Sequence, residues 1–244
     1  MATFVLIHGA GDVGWYWHLV EAELHARGHD VVAPDLPCDD DSAGLVEYAD
    51  AVVAAVEHAR TEAEPPGPSP DLVVVAQSFG GFTAPLVCER LPVRLLVLVA
   101  AMIPAPGEVP AEHTENTRYA DDAWDGYGDE TDVFYPDVPR ALALEAQRRA
   151  PRQSEARMGE PSPLRAWPDV PTRVILCRDD RVLTARYLRR VARERLGITP
   201  DEIDGGHTPA LSRPVELTDR LVAYAAEQGL AGAGPGSGPR AGRA

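Results

Sequence analysis

Cysteine is scarce in this chain: Cys38, Cys88 and Cys177 are an odd set at wide spacing, with no CxxC or Cys/His cluster around them. A disulfide scaffold and a thiolate metal site are thereby disfavoured, and small buried hydrophobes are their expected role. Positive charge is also short. Lys and Arg total 23 against 38 Asp and Glu, a formal net charge of −15. A surface that acidic repels phosphate backbones and anionic lipid, so neither nucleic acid nor a membrane is an expected partner. The opening Met-Ala-Thr-Phe-Val-Leu-Ile-His-Gly lacks a basic stretch, and its apolar run is too short for a leader or a membrane span. A reducing, cytoplasmic setting is therefore expected. The histidines show no ligand spacing and Asp39-Asp40-Asp41 lacks the turn glycine and later Glu of a calcium loop. No metal and no organic cofactor is expected, and the triple aspartate reads as a solvated, helix-capping loop. There is no internal repeat.

What is present suits one domain with an embellishment: 244 residues, 45% of them hydrophobic. Short β-rich runs alternate with amphipathic helical stretches. The spacing predicts strands at Phe4–Ile7, Asp30–Ala33, Leu72–Ala76, Leu95–Ala100, Arg173–Cys177 and Glu202–Ile203. Helices are expected over Trp15–Arg27, Ser42–Arg60 with Ser42 as N-cap, from Ser78 to about Arg90, Ala185–Arg195 and Pro214–Glu227. A Pro/Gly-rich turn spans 65–70, and residues 229–244 are low-complexity, with disorder expected. Residues 103–168 break the alternation and are rich in Pro, Gly, Asp and Trp, with one clear helix near Arg140–Arg149.

Strand–helix alternation implies a mostly parallel, doubly wound α/β sheet covered on both faces. Such sheets carry their sites at the carboxyl ends of strands. There stand His8-Gly9-Ala10-Gly11, Gln77-Ser78-Phe79-Gly80-Gly81, Asp179-Asp180 and Gly205-Gly206-His207. A serine hydroxyl needs a base to remove its proton, a sharp turn to expose it and N–H donors for the oxyanion. Ala76-Gln77-Ser78-Phe79-Gly80, between strand and helix, has the context of a nucleophile elbow with Ala in place of the first Gly. Ser78 is the expected nucleophile, His207 the base and an Asp of the 179–180 pair the orienting acid. The backbone N–H groups of Phe79 and Ala10 are the expected oxyanion donors.

The chain resembles the α/β-hydrolase superfamily over nearly everything before the tail. Within it, the chain resembles the short members that include plant methylesterases, hydroxynitrile lyases and their bacterial relatives. The resemblance rests on Phe4–Ala10 with Trp15-Tyr16-Trp17, Gly28–Leu36, Ala76–Gly81, Cys177–Arg181 and Gly206–Pro214. It implies Asp180, the carboxylate just before Arg181, as the triad acid, strand order 2-1-3-4-5-6, and a cap inserted after the fourth strand. The expected organisation is a core of 1–102 and 169–228 with residues 103–168 as that cap. Two departures stand out. Gln77 replaces the usual His before the serine, and Thr208 stands where the lyases place a Lys.

Hydrolysis of a small carboxylic ester through an acyl-enzyme on Ser78 is the leading expectation. Two rivals remain: non-hydrolytic chemistry on the same fold, such as elimination, C–C cleavage or cyclisation, and a non-catalytic small-ligand binder. The expected partner is a small ester-like molecule, with a homodimer left open. Trp15, Tyr16 and Trp17 are expected in the core. His18, His25, His29, His58 and His113 read as surface or capping groups, and Arg148, Arg149 and Arg152 as a solvated helix end. Trp124, Tyr127, Phe134 and Tyr135 are the pocket candidates.

Overall fold

The computed structural model describes residues 1–62 and 71–230. In chain order come β1 (Ala2–Ile7), a 3-10 turn (Gly14–Trp17) leading into α1 (His18–Ala26), β2 (Asp30–Val32), α2 (Leu45–Glu62), β3 (Asp71–Ser78), α3 (Gly80–Cys88) and β4 (Val93–Ala101). Residues 103–168 then carry α4 (His113–Asn116), α5 (Glu130–Phe134) and α6 (Arg140–Arg149). The alternation resumes with β5 (Thr172–Cys177), α7 (Ala185–Leu196), β6 (Asp201–Ile203), α8 (Pro209–Ser212) and α9 (Pro214–Glu227). The sheet order is β2-β1-β3-β4-β5-β6 with every pairing parallel. That is the order the resemblance implied.

The uninterrupted Val, Leu and Ala of β3 and β4 are buried because each strand is covered on both faces. Alternate residues supply two separate cores. Val74, Ala76, Leu96 and Leu98 face α2, α3 and α7 through Val52, Phe82 and Leu188. Val73, Val75, Val97 and Val99 face α1 and α9 through Val20, Leu24, Leu217 and Leu221. Tyr16 and Trp17 are buried on this second side as expected, although they lie in the 3-10 turn and not in a regular helix. Trp15 is only partly buried, with the Arg149 guanidinium over its ring.

Local chemistry moved several boundaries. Ser42 does not cap α2: its hydroxyl donates to Asp40, while the Gly44 N–H at the helix start donates to Glu47. Asp41 accepts from Arg152 and Ser154, so the triple aspartate is a hydrogen-bonded loop. The tail does not begin at 229. The Gly229 N–H reaches Ala226 O and that of Leu230 reaches Ala225 O, a left-handed glycine closure of α9 that buries Leu230. The turn expected over 65–70 and the rest of the expected tail, 231–244, lie outside the described residues.

Two of the histidines read as surface or capping groups are buried. His29 packs edge-on against Phe4. His113 lies between the carboxylate of Glu108, 3.0 Å away, and the hydroxyl of Tyr187, 3.1 Å away. The Glu108 carboxylate also accepts two hydrogen bonds from Arg195, and so fastens residues 103–117 to α7. Cys38 and Cys177 are buried free thiols, while Cys88 is half-buried. None of the described helices is long and apolar enough to cross a membrane.

Candidate active site

β3 ends abruptly. Ser78 adopts φ 51°, a left-handed conformation that a β-carbon disfavours, and α3 begins two residues later. The pairing with β4 slips at the same point, from Gln77 opposite Val99 to Ser78 opposite Ala101. Small neighbours make the turn feasible. A Cβ on Gly80 would lie 2.7 Å from His8 O, and one on Gly9 would lie 2.9 Å from the Ser78 Cβ. Both glycines therefore let the β1 loop and α3 close around the serine. Ala76, where the usual pattern has its first glycine, is buried within β3.

His207 follows β6 and reaches back across the sheet edge. Its Nε2 lies 3.0 Å from Ser78 Oγ, and its Nδ1 lies 2.9 Å from Asp180 Oδ2. The second oxygen of Asp180 accepts the N–H groups of Val182 and Leu183 at 2.7 and 2.9 Å. Both oxygens of this buried carboxylate are thus hydrogen-bonded, one by two N–H donors and the other by the imidazole. The carboxylate therefore favours the tautomer with hydrogen on Nδ1, leaving Nε2 free to accept the serine proton. Asp179 points elsewhere: it is exposed, and its backbone N–H donates to Gly205 O.

Ala10 and Phe79, which follows Ser78 in the chain, line a cavity of about 390 Å³ together with Pro110, Ala111, Gln153, Glu155 and Met158; Ser78 and His207 are not among its lining residues. Among the described residues neither the Ala10 nor the Phe79 N–H donates to another backbone group. A larger, shallow depression of about 600 Å³ at the start of α9 touches none of these residues. Among the described residues no group of three or more His, Cys, Asp or Glu could hold a metal ion.

Several residues to which sequence reasoning assigned no such contact, Gln77 and Thr208 among them, support this constellation. Gln77 donates from Nε2 to the backbone O of His207 at 3.0 Å. Gln153 accepts the Gly11 N–H at 3.0 Å, which ties residues 103–168 to the loop carrying Ala10. Thr208 donates to Phe134 O, and the Phe134 ring stands edge-on to His207 at 5.7 Å. His8 accepts the Leu36 N–H at Nε2 and contacts Gly9 O through Nδ1, and burial lowers its pKa. Its role is to hold the loop.

The aromatic pocket candidates fare unevenly. Tyr127 is fully exposed, and Trp124 lies under the Arg181 guanidinium. Phe134 reaches the His207 ring, and Tyr135, with its hydroxyl pushed up to about 12 by burial, is half-buried. None of the four lines the cavity, whose wall is aliphatic apart from Phe79 and the polar Gln153 and Glu155. Their positions carry no periodic signal, so their direction depends on how residues 103–168 fold over the sheet. Arg148 and Arg149 pair with Glu145, and Arg152 with Asp41, so the basic run is neutralised on the surface.

The sequence model of the alpha/beta hydrolase family matches residues 4–220. Probable esterase PIR7A of Oryza sativa subsp. indica is 37% identical over 114 residues, covering 43% of this chain and 41% of that protein. The chain thus spans about two fifths of the length of that rice protein. Methylesterase 2 of Arabidopsis thaliana is 25% identical over 259 residues, covering 91% of this chain and 95% of that protein. Among solved structures, polyneuridine aldehyde esterase superposes with a TM-score of 0.70 at 19% identity, covering 92% of this chain and 99% of that one. At that identity the likeness is one of fold.

Proposed function

Because the chain belongs to the alpha/beta hydrolase family, we propose that it hydrolyses small carboxylic esters through an acyl-enzyme on Ser78. The observation that carries the reading is the continuous relay from Ser78 Oγ to His207 Nε2 and from His207 Nδ1 to Asp180, with contacts of 3.0 and 2.9 Å. The esterase and methylesterase names of the relatives support the same substrate class.

In this mechanism Ser78 Oγ attacks the ester carbonyl while His207 Nε2 takes its proton. The Ala10 and Phe79 N–H groups receive the oxyanion, and both residues line the cavity of about 390 Å³. His207 then returns the proton to the leaving alkoxide. Water attacks the acyl-enzyme with His207 again as base, releasing the acid and regenerating Ser78. Asp180 keeps its charge throughout and stabilises the imidazolium. Residues 103–168 act as the cap that shields this chemistry, since they touch the acid loop, the base loop and the oxyanion loop through Tyr119, Phe134 and Gln153. Free thiols at Cys38 and Cys177 suit a reducing, cytoplasmic setting.

Turnover of p-nitrophenyl acetate and butyrate by the wild type beside Ser78→Ala tests the reading. Activity that disappears in the variant is expected, with a fluorophosphonate probe labelling Ser78. Oxygen-18 water separates hydrolysis from elimination or C–C cleavage, because only hydrolysis places the label in the acid. Absence of label in the acid product of an accepted ester would sink the proposal.

A further inference from the structure

The cavity lined by Ala10 and Phe79 has an uneven electrostatic character. Phe79, Pro110, Ala111 and Met158 give it an apolar wall, and no Lys or Arg lines it. Its polar lining side chains are Gln153 and Glu155. The Gln153 amide is already engaged, its oxygen by the Gly11 N–H and its nitrogen by Tyr48 and Ser154 O. Glu155 is exposed and forms no ion pair among the described residues. The arginines nearest to it in sequence are committed elsewhere, Arg152 to Asp41 and Arg157 to Glu160.

A carboxylate without a countercharge on the rim of an apolar cavity attracts a cation and repels an anion of the same shape. Resting on the ester-hydrolase reading, we propose that this cavity takes esters whose remote end is a cationic ammonium in preference to a carboxylate, with Glu155 as the specificity-determining residue. The apolar wall receives an aliphatic spacer, and a volume of about 390 Å³ accommodates a small chain of this kind. Glu155 is open to solvent, so its influence is screened by salt and amounts to a several-fold preference.

The test separates binding from turnover. Calorimetry on Ser78→Ala protein compares the methyl esters of γ-trimethylammonio-butyrate, its neutral tert-butyl carbon isostere and the glutarate half-ester. The cationic ester is expected to bind more tightly than the anionic one. That ratio is expected to fall about 3- to 10-fold in Ser78→Ala/Glu155→Gln and to shrink in about 0.5 M sodium chloride. Glu57→Gln removes an exposed carboxylate on α2 and controls for net charge. A ratio unchanged by Glu155→Gln, or one that falls equally in Glu57→Gln, overturns the inference. Wild-type turnover of the neutral ester judges the hydrolase reading on its own. Charge preference without hydrolysis would remove that reading and leave the preference standing, and hydrolysis without preference would do the reverse.

Discussion

The side-chain amide of Gln77 donates to the backbone carbonyl of His207 at 3.0 Å, so the residue before the proposed nucleophile holds the loop of the proposed base. The two residues are 130 positions apart, and both are buried. Serine and imidazole are thus registered by the backbone as well as by their own contact. Removing the amide leaves a buried carbonyl without its donor, at a cost of about 1–2 kcal/mol. Gln77→Ala is expected to lower kcat with p-nitrophenyl butyrate by roughly 5- to 30-fold, with KM little changed. A change confined to KM would place Gln77 in substrate binding.

Asp180 and Asp179 are neighbours with different surroundings, and their substitutions should differ accordingly. Asp180→Asn keeps the shape but loses the charge that orients the imidazole, and a fall in kcat of about 10³- to 10⁴-fold is expected. Asp179→Asn, on the exposed side of the turn, should stay within about 2-fold of wild type. Equal losses in both variants would contradict the assignment.

Asp12 links burial to a pH effect. Desolvation, with Asp35 nearby, pushes its carboxyl up to about 7, against about 3.9 in an unfolded chain. The folded state therefore keeps a proton that the unfolded state loses, and this residue's contribution to stability declines as pH rises from about 4 to about 7. Asp12→Asn retains the acceptor for the Val13 N–H and removes the titration. Urea unfolding should show the variant more stable by on the order of 1–3 kcal/mol at about pH 8, with the difference vanishing near pH 4. A difference independent of pH would mean that packing, not ionisation, is responsible.

Glu108 carries the opposite sign. Burial would raise its pKa, but hydrogen bonds from Arg195 and His113 outweigh that effect and hold it well below the usual carboxylate range. Its contribution is present above the unfolded pKa near 4.3 and is lost as pH falls toward the depressed folded value. Glu108→Gln leaves the Arg195 guanidinium without its counterion and should cost about 3 kcal/mol at neutral pH. Differential scanning calorimetry should then show Tm lower by roughly 6–12 °C, with the gap narrowing in acid. A gap that stays constant down to about pH 3 would count against the ion pair as its source.

Much of the architecture is written in local pattern. Uninterrupted apolar runs name the central strands, and a helix of regular amphipathic period closes the domain at Pro214–Glu227, as expected. Ser78, the Asp179-Asp180 pair and His207 could be singled out because each lies at or shortly after the carboxyl end of a strand, and strand ends are where an open parallel sheet exposes side chains. What stayed hidden depends on partners far away in the chain. Gly11 with Gln153 and Gln77 with His207 are 142 and 130 residues apart, and a glutamine carries no mark of its partner. His113 reads as a surface residue until residues 103–117 fold onto α7 and supply Glu108 and Tyr187.

By itself the sequence determined the alternation of strands and helices, and with it the end of the sheet where chemistry can occur, because hydrophobic period and turn residues act within a few positions of the chain. Which carboxylate faces His207, which way the aromatics of residues 103–168 turn, and that Glu155 lines the cavity without a counterion were decided only by the tertiary structure. Those outcomes follow from distances between segments brought together by burial, and local propensity has no access to them.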